Sequence, residues 1–235
     1  MAMIFALQVQ VAGVNMFTGI IAAVGKVTAI KNNAKDITIS VDAGNLDLSD
    51  VKLGDSISNN GVCLTVTKLS DKGFDADLSN ETLKRSGFSQ IKSGFLLNLE
   101  KAMQMTERFG GHIVSGHVDG VGEVISINPL GNAVEYWIKA PNKLAKYIAE
   151  KGSITVDGVS LTTNEINGSA FKLTIIPHTI SQTTMVNYKV GTQVNLEVDV
   201  IARYLERLML GGKAAESHNN NKSTMDLLAK SGFLG

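Results

Sequence analysis

Asn60-Gly61-Val62-Cys63-Leu64-Thr65 returns as Asp157-Gly158-Val159-Ser160-Leu161-Thr162, at a spacing of 97 residues. The same spacing relates Thr18-Gly19 to Ser115-Gly116 and Gly25-Lys26-Val27 to Gly122-Glu123-Val124. It also relates Glu81-Thr82-Leu83 to His178-Thr179-Ile180, and Asn98-Leu99-Glu100 to Asn195-Leu196-Glu197. One constant offset across distant motifs means that a single unit has been duplicated with almost no net insertion. A unit of about 100 residues is large enough to bury its own core.

Each copy reads as strands. Residues 37–41, 74–78, 95–99, 171–175 and 194–198 alternate apolar and polar side chains, as half-buried strands do. Asn32-Asn33, Asp71-Lys72-Gly73 and Asn167-Gly168 punctuate them as turns. Many short strands with little helix predict an all-β fold, two tandem barrels or sandwiches. Helical patterns interrupt at residues 46–53, 100–109 and 142–150, and at the strongly apolar 200–210, which runs into Gly211-Gly212. Packing on a barrel and an oligomer interface both account for that last segment. A polar tail follows, with a short apolar stretch at 225–233 that reads as a docking helix or as disorder.

The 22 Lys+Arg residues balance the 22 Asp+Glu residues, which leaves no electrostatic reach for nucleic acid. A single cysteine, Cys63, precludes an internal disulfide and fits a reducing, cytoplasmic setting. No apolar run is long enough to span a membrane, and residues 1–15 are read as a non-native or disordered extension before Met16.

Several segments, taken in order, resemble the riboflavin synthase family. They are Met16-Phe17-Thr18-Gly19-Ile20-Ile21, the segment at 60–66, Gly110-Gly111-His112-Ile113-Val114-Ser115-Gly116-His117-Val118-Asp119-Gly120, the segment at 157–162, Ile176-Pro177-His178-Thr179 and Asn195-Leu196-Glu197-Val198-Asp199. The resemblance covers residues 16–210. It implies two six-stranded Greek-key barrels, at 16–111 and 112–199, then a trimerisation helix at 200–212 and a tail at 213–235. It implies dismutation of two molecules of 6,7-dimethyl-8-ribityllumazine by four-carbon transfer, without metal or redox cofactor. The active unit would be a homotrimer, each site lying between the first barrel of one subunit and the second of its neighbour. Association with lumazine synthase is a further expectation.

The copies should differ where the two substrates differ in role. Ile20 becomes His117, Gly54 becomes Lys151, Cys63 becomes Ser160, Glu81 becomes His178 and Ala102 becomes Asp199. By resemblance the catalytic set is Cys63, His117, Ser160, Thr162 and Asp199. Ser160 and Thr162 would lie near the acidic methyl group, His117 would shuttle protons, and Cys63 would be a nucleophile or a pocket wall. The substrate-binding set is Gly19, Ile20, Ile21, Ser56, Leu64, Thr65, Asp77, Asn80, Glu81, Thr82, Gly116, Val118, Lys151, Leu161, Pro177, His178 and Thr179. Gly61 and Gly158 are read as letting the chain approach the flat ring, and His112 as shaping a turn. Two rivals remain: a non-catalytic lumazine- or riboflavin-binding optical protein, and a flavin-reductase barrel. The second lacks its companion nucleotide motif here.

Overall fold

The structure is a computed structural model that describes residues 16–32 and 37–215. The first copy folds into β1 (Ala23–Asn32), β2 (Ile37–Asp42), β3 (Ser56–Asn59), β4 (Val62–Ser70), β5 (Gly73–Leu78) and β6 (Leu96–Lys101). These close into an antiparallel barrel of order β1-β2-β5-β4-β3-β6. The second copy supplies β7 (Gly120–Leu130), β8 (Ala133–Lys139), β9 (Ser153–Val156), β10 (Val159–Thr162), β11 (Glu165–Asn167), β12 (Ala170–Ile175) and β13 (Gln193–Val198). Its order, β10-β9-β13-β7-β8-β12-β11, is the same cycle with one strand in two pieces.

The reason for that split is local. β4 carries a bulge between Val66 and Lys68, where an extra residue bends the strand. At the matching place the second copy breaks its ladder at Thr163 and Asn164. The Asn164 side chain fills the gap by accepting from the Thr174 backbone N–H at 2.6 Å, while its own N–H donates to the Lys172 carbonyl. The barrel expected as six strands is thus a cycle of six positions, one interrupted. Bulges also repeat, at Val27–Ala29 and at Val124–Ser126.

Alternation builds each core. Ile39, Val41, Ile57, Leu64, Phe74, Leu97 and Leu99 turn into the first barrel. Ile138, Ile154, Val156, Phe171, Leu173 and Leu196 turn into the second. The strands expected from the sequence are present. Two of the expected helices are not: residues 46–53 form turns, and 100–109 begins as the end of β6 and continues as coil and turn. Strand pairing of Glu100 and Lys101 with β3 overrides the helical pattern. Residues 142–147 form a 3-10 helix rather than an α-helix. Short helices α1 (Asn80–Arg85) and α2 (Pro177–Ser181) follow β5 and β12, the first capped by the Ser79 hydroxyl. The final helix, α3 (Val200–Met209), is as expected. The expected extension at 1–15 and the stretch at 225–233 lie outside the described residues.

The barrels meet along the pseudo-twofold implied by the repeat. Gly61 and Gly158 both have φ +78°, and a Cβ on Gly61 would stand 2.9 Å from the Gly158 nitrogen. Two buried asparagines clamp the contact reciprocally. Asn98 donates to the Asp157 carbonyl and accepts from the Thr184 N–H; Asn195 donates to the Asn60 carbonyl and accepts from the Gly87 N–H. Gly61→Ala should therefore destabilise by about 2 kcal/mol or more in urea unfolding, from backbone strain plus the inter-barrel clash. Gly94→Ala, at φ +88° with open space around it, should cost only about 1 kcal/mol.

Candidate active site

The side chains on β4, β3 and β6 that do not enter the core form a polar outer face. Cys63 is paired with Ser58, Thr65 with Ser56, and Ser58 with Glu100. Directly opposed residues in a ladder share a face, so these stand together. The second copy repeats the arrangement: Ser160 opposite Thr155, Thr162 opposite Ser153, and Thr155 opposite Glu197. Ala102 and Asp199 follow β6 and β13 at matching places.

Each outer face is covered by a loop from the other copy. The Ser160 N–H donates to the Gly19 carbonyl at 2.8 Å, and the Cys63 N–H donates to the Gly116 carbonyl at 2.8 Å. The approach is tight: a Cβ on Gly19 would lie 2.6 Å from that of Ser160, and one on Gly116 would lie 2.6 Å from that of Cys63. A buried glutamate holds each loop. Glu100 accepts from the Thr18 N–H, the Thr18 hydroxyl and the Gly19 N–H. Glu197 accepts from the Ser115 N–H, the Ser115 hydroxyl and the N–H groups of Gly116 and His117. Phe17 and Val114 bridge the two loops.

The faces differ chemically. At the first, burial pushes the Cys63 thiol above its ordinary value, a hydrogen bond with Ser56 opposes this, and the Glu197 charge adds to it. Cys63 is therefore a neutral thiol near neutral pH, which favours a pocket wall over a nucleophile. His117 is exposed and follows Gly116, whose backbone packs on Cys63. At the second face the His112 ring Nδ1 lies 2.7 Å from Ser160 Oγ. Burial holds the His112 imidazole below its ordinary value, against the pull of the Asp199 carboxylate. From sequence alone His112 is assigned to shaping a turn. Its pairing with Ser160 was not legible, because the two are 48 residues apart on different elements.

The remaining expected residues fall into three groups. Ser56, Thr65 and Thr162 lie on the outer faces, Gly19 and Gly116 on the loops over them, and Ile20 and Ile21 follow Gly19 in the chain. Lys151 has φ +62° where the first copy has Gly54, and its N–H donates to the Thr163 carbonyl. Leu64 points into the first core, Leu161 packs on the second, and Val118 packs on the first. The third group lies on or near α1 and α2 and has local partners. Asp77 accepts from Thr38, Glu81 pairs with Arg85, and Thr82 engages Ser79. Asn80, Pro177, His178 and Thr179 stand on the same short helices. Gly61 and Gly158, read from the sequence as letting the chain approach a flat ring, pack on each other where the barrels meet. A cleft of about 630 Å³ beside Asn60, Asp157 and Tyr188 contains none of the expected catalytic residues.

This architecture defines a class, tandem antiparallel barrels built from one duplicated unit, and the lumazine binding domain model matches residues 18–102 and 115–199. The chain is 56% identical over 219 residues to riboflavin synthase of Photobacterium phosphoreum, covering 93% of this chain and all of that one. It is 41% identical over 218 residues to riboflavin synthase of Bacillus subtilis (strain 168), again covering 93% and all of the relative. The chain belongs to the riboflavin synthase family, a family of enzymes. The crystal structure of LumP complexed with riboflavin superposes with a TM-score of 0.71 at 25% identity, covering 78% of this chain and 99% of that one. LumP complexed with 6,7-dimethyl-8-(1'-D-ribityl) lumazine shares the fold, with a TM-score of 0.70 at 24% identity over the same shares.

One buried acid makes the fold sensitive to pH. Asp157 accepts from the Asn195 N–H and the Tyr188 hydroxyl, yet burial raises its pKa to about 6. Its first-copy counterpart is the neutral Asn60. A carboxyl with a raised folded-state pKa stabilises fully below its unfolded value and loses that contribution as pH rises through about 6. Asp157→Asn should therefore flatten the decline in unfolding free energy between pH 4 and 7, a difference of about 3 kcal/mol from the size of the shift. Urea titrations at several pH values measure it, and an unchanged slope would exclude Asp157 as the source.

Proposed function

We infer that the protein catalyses the dismutation of two molecules of 6,7-dimethyl-8-ribityllumazine. One gives a four-carbon unit to the other, and riboflavin and 5-amino-6-ribitylamino-uracil are released. The observation that carries this reading is the pair of outer faces, alike in backbone and unlike in ionisable groups. Two like substrates call for two like pockets, and their different roles call for different chemistry. Holding both rings face to face converts a bimolecular encounter into a positioned one.

The second face supports the proton-abstracting half. A lumazine there loses a proton from its C7 methyl group, and the electron pair spreads into the electron-poor ring. The hydroxyls of Ser160 and Thr162 stabilise that anion, and Asp199 stands close enough to influence the local proton balance. Lys151 reaches the ribityl chain. The first face holds the partner ring against Cys63 and Thr65, with His117 as proton shuttle. Ser56 supports the Cys63 thiol by hydrogen bonding.

Assembly as a homotrimer would bring the first face of one subunit to the second face of its neighbour. The stripe Ile201, Tyr204, Leu205 and Leu208 on α3 is exposed and spaced for one helical face, which suits a subunit contact. The free thiol of Cys63 suits a cytoplasmic location.

Purified protein incubated with the lumazine should develop riboflavin fluorescence. His117→Gln should lower kcat about a hundredfold with KM changed only a fewfold. Cys63→Ser should retain turnover within about tenfold, since the neutral thiol is not the nucleophile. Lumazine retained without riboflavin formation would make the protein a binder and overturn the enzymatic reading.

A further inference from the structure

His112 sits in the loop between the barrels, and the position 97 residues earlier is Asn15, so the imidazole belongs to the second copy alone. Its backbone N–H donates to the Thr18 carbonyl at 3.2 Å, which ties it to the loop that Glu100 holds over the second face. Gly111 permits the close approach: a Cβ there would lie 1.9 Å from the Thr18 carbonyl oxygen and 3.0 Å from Ser160 Oγ. The ring arrives with Nδ1 at 2.7 Å from Ser160 Oγ. The residue is 8% exposed, and Nε2 is buried with no hydrogen-bond partner among the described residues.

This arrangement is unlike the rest of the interface. The buried asparagines that join the barrels, Asn98 and Asn195, engage backbone groups, while Glu100 and Glu197 hold loops of their own barrels. His112 instead spends its ring nitrogen on the one hydroxyl that distinguishes the second face from the Cys63 face. We propose that His112 is a positioning residue for the reaction, fixing the Ser160 hydroxyl rotor and accepting its proton while Ser160 acts on the lumazine methyl group. The inference rests on the lumazine dismutation reading of the second face.

The step balances without a co-reactant. The methyl C–H bond breaks and its proton passes to Ser160 Oγ as the Ser160 O–H proton moves to His112 Nδ1. The electron pair stays on the substrate, in the ring system, and the hydroxyl is regenerated. The charged groups on the surrounding elements suit this. Asp199 lies at the end of β13 and favours the imidazolium formed, while the Glu100 carboxylate is engaged by Thr18 and Gly19. Burial keeps the ring neutral, hence ready to accept a proton, before the step.

Three variants and two readouts test it. The first readout is exchange of the C7 methyl protons in heavy water, followed by NMR with kcat and KM alongside. His112→Phe should slow both exchange and kcat about a hundredfold with KM changed less than about threefold. His112→Asn places an amide atom where Nδ1 stood, so it should recover part of that loss and lose the acid limb of the kcat–pH profile. In a Ser160→Ala background, His112→Phe should add nothing, because the two act as a unit. The second readout needs no activity: ring 15N shifts of His112 should change on Ser160→Ala. Additive losses, an unaltered acid limb in His112→Asn, or ring shifts blind to Ser160→Ala would each overturn the inference. If the parent protein neither exchanges methyl protons nor makes riboflavin while the ring shifts respond, the dismutation reading fails and the His112–Ser160 contact stands.

Discussion

Gly61 and Gly158 touch backbone to backbone, and the two barrels are organised about that contact. Only a residue without a side chain fits there, because a Cβ on either would enter the other's main chain and both hold a left-handed φ. The reciprocal hydrogen bonds of Asn98 and Asn195 close around it, so the contact is satisfied as well as tight. Its consequence is positional. With the Gly61–Val62 and Gly158–Val159 segments locked together, Cys63 and Ser160 come next in each copy, at matching places in their ladders.

The same geometry makes each face depend on the other copy. Gly19 covers Ser160, Gly116 covers Cys63, and the glutamates that hold those loops come from the loop's own barrel. A face therefore exists only when both barrels are folded and docked. This gives a physical reason for a duplicated chain with so little insertion: lengthening either loop would uncover the opposite site. Substitution at equivalent positions then differentiates the faces without altering the frame. A thiol kept neutral by burial stands on one, and a hydroxyl paired with a buried imidazole on the other.

Much of this was legible in the sequence. The 97-residue spacing located both barrels, and period-two alternation located the strands, because each barrel has an apolar inside and a polar outside. Cys63, Thr65 and Ser56, three of the residues expected at the site, share one ladder face, as period-two alternation requires. Leu64, in the binding set by resemblance, turns its side chain into the core, because successive residues in a strand point to opposite sides. Residues 100–109 do not form the expected helix, because pairing of β6 with β3 outweighs local propensity. His112 was undervalued, and the crossing of loops between copies was missed, since both depend on how the barrels dock rather than on any local pattern.

The central claim is that one chain carries two ligand faces, each built from both copies. The direct measurement is binding stoichiometry by equilibrium dialysis with a lumazine lacking the reactive C7 methyl group. The account predicts two ligands per chain, one when either Cys63→Trp or Ser160→Trp fills a face, and none when both do. One ligand per chain in the parent protein, or a stoichiometry unmoved by either tryptophan, would contradict it.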